Sequence, residues 1–101
     1  MKKFSMVVHT SLQQELADFL RSMHLDSFMF SHIEEHSTQL EHDAFLSVRD
    51  KVVGYVPKVR VDVILDSASI ATLLQEIRSS AISFKGQGIY WVTDIDESGE
   101  L

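Results

Sequence analysis

An α+β fold with the element order β-α-β-β-α-β is predicted by three features of this 101-residue sequence. Two segments carry apolar residues at helical spacing, four carry the alternation or β-branched enrichment of strands, and the two helical segments each follow a strand. A chain of this length with 45% apolar residues suffices for one buried core. A single domain over residues 1–101 is therefore expected.

The elements follow in order. "KKFSMVVHT" sets Phe4, Met6 and Val8 against Ser5, Val7 and His9, which predicts a strand from about Lys3 to His9. Thr10 or Ser11, with Gln13 or Gln14 three residues on, offers an N-cap and capping box. Leu12, Leu16, Phe19, Leu20 and Met23 then form one apolar stripe of a helix that Asp26-Ser27 ends. "FMFSHIEEH" predicts a second strand from about Phe28 to His36, with Phe28, Phe30, His32, Glu34 and His36 on one face and Met29, Ser31, Ile33 and Glu35 on the other. Residues 37–55 have only scattered apolar positions, and so long an irregular connection in a small domain is usually functional. "VPKVRVDVILD" sets Val59, Val61, Val63 and Leu65 against Lys58, Arg60, Asp62 and Ile64 in a third strand. Asp66 or Ser67 caps a second helix with the stripe Ile70, Leu73, Leu74 and Ile77, which runs to about Ser79. After "ISFKGQG", whose glycines permit a tight turn, "IYWVTDI" supplies the last strand.

This order predicts a ferredoxin-like βαββαβ fold, a four-stranded antiparallel sheet in the order 4-1-3-2 with two helices on one face. The second strand then lies at an edge, and the other sheet face has no helix of its own. Ile64, Phe28, Phe30 and an aromatic of the last strand are expected on that open face, and oligomerisation is expected to bury part of it.

Composition narrows the function. A net charge of −6 disfavours a polyanionic partner, so no nucleic acid is expected. There is no cysteine, so disulfides and thiolate metal sites are unavailable and any metal must be held by nitrogen and oxygen. No apolar run approaches the roughly 20 residues needed to cross a bilayer, and the N-terminal pattern does not read as a secretory leader. A cytoplasmic protein without direct membrane insertion is expected.

"VPKVRVDVILDSASIATLLQEI" is similar to the third strand and second helix of the PII signalling proteins, and "KGQGIYWVTDI" resembles their glycine-rich B-loop and last strand. The whole chain follows that family in order and length, and its second half also does so in motifs. The resemblance implies a homotrimer of ferredoxin-like subunits, as in PII and CutA proteins, with ligand sites in the clefts between subunits at the base of a T-loop, here about residues 37–55. It also points to a bacterial branch with short acidic chains that tends to be encoded beside heavy-metal efflux pumps. A membrane transporter contacted through the 37–55 loop is the partner this implies. Carried over residue by residue, Lys58, Lys85, Gly86 and Gly88 are implied as lining of the intersubunit cleft. Ile89 follows Gly88 where ATP-binding members have lysine, and the tail "DIDESGEL" lacks their Arg-x-Arg, which argues against ATP and 2-oxoglutarate as ligands.

"HIEEH", residues 32–36, matches the H-x-x-E-H pattern of inverted zinc metalloproteases. That chemistry needs His32 and His36 one helical turn apart. On a strand the two lie about 13 Å apart and Glu35 points to the opposite face, so the protease reading is rejected. His32 with Glu34, or Glu34 with His36, sit about 7 Å apart on one face, a separation a divalent transition metal can bridge, and His42 follows in the long connection. The set His32, Glu34, His36 and His42 is thus a candidate for metal binding, as in a buffer or chaperone. The competing account is that these side chains solvate an exposed edge strand and keep it from pairing with other strands. An acylphosphatase-like site is unsupported because the chain contains no asparagine, and an RNA-binding platform because "KVRVDVIL" has no aromatic residue. No nucleophile-base arrangement can be argued from spacing. The expectation is a non-enzymatic, trimeric, PII-like regulator that senses a small ligand or metal ion. A ligand-free interaction module remains a third possibility.

Overall fold

The computed structural model describes residues 1–36 and 54–101. Its elements are β1 (Lys2–His9), a single 3-10 turn (Thr10–Leu12), α1 (Gln13–Ser22), β2 (Met29–Glu35), β3 (Val56–Leu65), α2 (Ser67–Ser79) and β4 (Ile89–Asp94). They form one sheet in the order β2-β3-β1-β4, with every neighbouring pair antiparallel. This is the predicted α+β, ferredoxin-like arrangement. The 37–55 connection lies outside the described residues, apart from Gly54 and Tyr55 at its end.

Cross-strand partners point to the same side of a sheet, so the register assigns every side chain to a face. Phe4 opposite Val63, Met6 opposite Val61 and Val8 opposite Val59 build the helix-covered side. These six residues cluster with Leu16 and Leu20 of α1 and with Ile70, Leu73 and Ile77 of α2 into the core. The periodicity of both helices and of β3 lands as the sequence predicts.

Three local features differ from expectation. Phe30 lies opposite Val61, and Phe28 and Phe30 both pack, half-buried, against the core. They therefore do not stand on the open face. Alternation sorted β2 into two faces correctly, but β2 carries large apolar groups on both, and only its register on β3 decides which one meets the helices. The second difference is the cap: His9, not Thr10 or Ser11, caps the turn, its Nδ1 accepting a hydrogen bond of 3.1 Å from the Ser11 amide. The residue preceding α1 proper, Leu12, makes no side-chain cap, so the capping box does not form. Third, α1 ends four residues before Asp26. The His24 amide bonds the Arg21 carbonyl, and His24 adopts a left-handed φ of 56° at a position usually filled by glycine.

The open face is amphipathic. Ser5, Val7, Lys58 and Asp62 are buried on it, while Met29, Ile64, Ile89 and Trp91 stand exposed around them. At its centre the Ser5 hydroxyl donates to Asp62 Oδ1 at 2.7 Å, and Arg60 Nε donates to Asp62 Oδ2 at 3.0 Å. The buried carboxylate thus has a partner on each oxygen, as burial of a charge demands. Of the aromatics of β4, Trp91 lies on this face. Tyr90 turns to the other side, where its ring stacks on Phe4 with centroids 5.8 Å apart.

Candidate functional site

Lys58 is the least expected residue of the structure. Lysine is almost never fully buried unless paired, yet its side chain is 4% exposed. It sits near the start of β3, opposite His9 on one side and Ile33 on the other, on the open face where the chain enters from residues 54–55. Its ammonium donates to the Gln87 carbonyl at 3.3 Å and lies 3.8 Å from Glu35 Oε2. The lysine therefore crosses β1 to join two edges of the sheet, the end of β2 and the approach to β4.

That approach is held by a tight turn. Gln87 N–H bonds the Phe84 carbonyl at 2.9 Å, and Lys85 and Gly86 both have positive φ, 54° and 72°. Positive φ at both central residues defines a type I′ turn, which presents the Gln87 carbonyl to Lys58. Gly88 faces the Phe84 ring so closely that a Cβ there would lie 3.2 Å from it. Of the four residues carried over from the family pattern, Lys58 reaches the backbone between Gly86 and Gly88, and Lys85 with Gly86 shapes that backbone. Two members of the cluster escaped the sequence reading. Glu35 supplies the countercharge, and Gln87 supplies an acceptor together with a buried side-chain N–H group, Nε2, that has no hydrogen-bond partner. A buried ammonium whose contacts are one carbonyl at 3.3 Å and one carboxylate at 3.8 Å makes a corner suited to an acceptor-bearing ligand. The signal for Glu35 was available in its placement on the opposite face from His36.

The metal candidates are brought together only in part. His36 Nε2 lies 3.1 Å from Glu34 Oε1, both side chains exposed, and the His36 ring packs against Tyr55 with centroids 5.7 Å apart. His32 stands exposed opposite Val59. His42 lies outside the described residues. Among the described residues no group of three histidine or carboxylate side chains is placed to hold a metal ion.

Two further carboxylates have lowered pKa values for local reasons. Asp66 caps α2, and the hydrogen bond from the Ser69 amide to its Oδ1, at 2.8 Å, favours its ionised form. Asp94 is lowered by its hydrogen bond and charge contact with Lys2, which closes the end of the β1-β4 pair. Both are structural and lie away from the Lys58 corner. Among the described residues no helix is long and apolar enough to cross a membrane.

No curated protein matches the chain. Among solved structures, the crystal structure of a DUF3240 family protein from Shewanella baltica OS155 is similar, with a TM-score of 0.72 at 18% identity, covering 99% of this chain and 94% of that one. That likeness extends the same fold to a distant sequence. The profile of the family described as "Protein of unknown function (DUF3240)" matches residues 2–101, from β1 through the tail beyond β4, and the chain belongs to that family.

Proposed function

We propose that the protein is a trimeric, PII-like regulatory sensor, non-enzymatic and cytoplasmic, that binds a small ligand or metal ion near intersubunit clefts and controls a partner in metal homeostasis. The observation that supports this most is the buried Lys58 corner. Its three elements, the end of β2, the start of β3 and the turn before β4, meet where residues 37–53 leave and re-enter the sheet. A ligand acceptor that engages Lys58 Nζ competes with Glu35 for the lysine and thereby biases the end of β2, which leads into residues 37–53. Order and disorder of a loop is a standard route from a bound ligand to a docked partner. The exposed apolar residues Ile64, Ile89 and Trp91 supply a surface for the trimer contacts that would complete the clefts.

The test is a calorimetric panel of small anions, nucleotides and divalent Cu, Zn, Co and Ni against the protein and its Lys58→Gln variant, with circular dichroism as the fold control. Saturable heat from at least one anionic ligand, lost in Lys58→Gln, is the expected result. A panel silent for the unmodified protein, or a ligand that binds both proteins equally, would remove the corner from consideration. Metal heats abolished by a His32→Ala/His36→Ala double variant would instead favour the buffer reading, for which the His36–Glu34 contact is the supporting geometry.

A further inference from the structure

On the helix-covered side, near the start of β4, lies a pit of about 200 Å³ that the Lys58 corner does not include. Met6, Leu74, Ile77 and Phe84 make it apolar, and Arg78 and Tyr90 are its two polar side chains. Arg78 is in the last turn of α2. Its guanidinium lies 5.7 Å from the centre of the Tyr90 ring, and its Nη2 makes a long contact of 3.4 Å to the phenol oxygen. Among the described residues, Arg21 and Arg60 each meet an aspartate, whereas Arg78 has no carboxylate partner. In a chain of net charge −6, an exposed arginine with no carboxylate partner among the described residues, beside an apolar hollow, is an anion-receptive group held in place by an aromatic ring.

We propose that this pit is a second ligand site, for a short-chain monocarboxylate. The volume is below the roughly 300 Å³ at which sites for drug-sized ligands begin, so the apolar part of the ligand is short, on the order of a C4–C8 chain. The carboxylate meets the guanidinium in a charge-assisted, bidentate pair and accepts from the Tyr90 hydroxyl, while the chain covers Leu74, Ile77 and Phe84. The site lies on the opposite side of the sheet from Lys58, although Phe84 opens the turn that holds Gln87 and Gly88 follows it, and the proposal does not rest on the sensor reading.

Hexanoate is titrated into the full ¹⁵N-labelled chain, with 1-hexanol and hexylammonium as neutral and cationic counterparts, and amide shifts are followed at Leu74, Phe84, Gly88 and Tyr90. Hexanoate is expected to give saturable shifts at these amides and to bind roughly ten-fold or more tightly than hexanol. Arg78→Gln, at an exposed position, is expected to bring hexanoate to the level of hexanol while leaving hexanol unchanged. Leu74→Phe, which fills the pit, is expected to abolish both. No saturable shift with hexanoate, equal binding of acid and alcohol, or an Arg78→Gln variant that binds hexanoate undiminished overturns the proposal. So does a set of shifts that tracks protein concentration instead of ligand, which would mean that a second copy occupies the pit.

Discussion

At the scale of single residues, the structure places several side chains where their intrinsic preferences are overruled, and each can be probed. Gly86 has φ of 72°, and a Cβ there would meet nothing within 4 Å. Gly86→Ala therefore isolates backbone strain from packing, and chemical denaturation should show a loss of about 1 kcal/mol. Lys85 beside it already bears the same conformation without being glycine. Asp66 gives a pH-dependent test. Because the Ser69 amide holds its folded pKa below the ordinary 3.8, the stabilisation it provides is fully present above that value and is lost as pH falls through the lower folded value. The difference in melting temperature between the protein and Asp66→Ala should thus be constant near neutrality and shrink only in strong acid. A difference that vanishes already between pH 5 and 7 would contradict this sign.

At the scale of elements, the two amphipathic helices depend on a few fully buried side chains. Leu16 is 0% exposed and lies in the core with Leu20 and Val59. Leu16→Ala removes its methyl groups and leaves a void, so urea denaturation should report a loss of about 2–5 kcal/mol. Both helical stripes and the alternation of β3 were legible because their apolar residues repeat with one period and face one side. β2 was legible as a strand but not in its orientation, since Phe30 and Ile33 compete for the core and only pairing with Val61 and Lys58 decides between them. The cap of the 3-10 turn that leads into α1 is not legible because an imidazole acceptor, His9 Nδ1, does the work usually done by a hydroxyl or carboxylate. In the candidate site, Lys58, Gly86 and Gly88 were reached through a family pattern. The burial of Lys58 was not, because a lysine goes inside only when partners distant in sequence, here Glu35 and Gln87, converge on it.

At the scale of the whole molecule, β4 is exposed along all six residues although it carries Ile89, Tyr90, Trp91 and Val92. An apolar edge strand of this kind invites association. Light scattering should give three times the mass of the chain, and Trp91→Glu, on the open face, should lower that mass to one chain without unfolding it. A single chain at high concentration in the unmodified protein would remove the trimer and the shared clefts together. The register of β1 has a different bearing, on biosynthesis. Lys2 pairs with Asp94 as well as with Leu65, so β1 waits for β4, far along the chain at Ile89–Asp94, before its second flank is filled. Sheets closed by such distant pairings form slowly, and a nascent chain that still lacks residues 89–94 leaves the backbone of β1 open along one side. Until those residues join, β1 is a flank of the sheet open to aggregation and proteolysis.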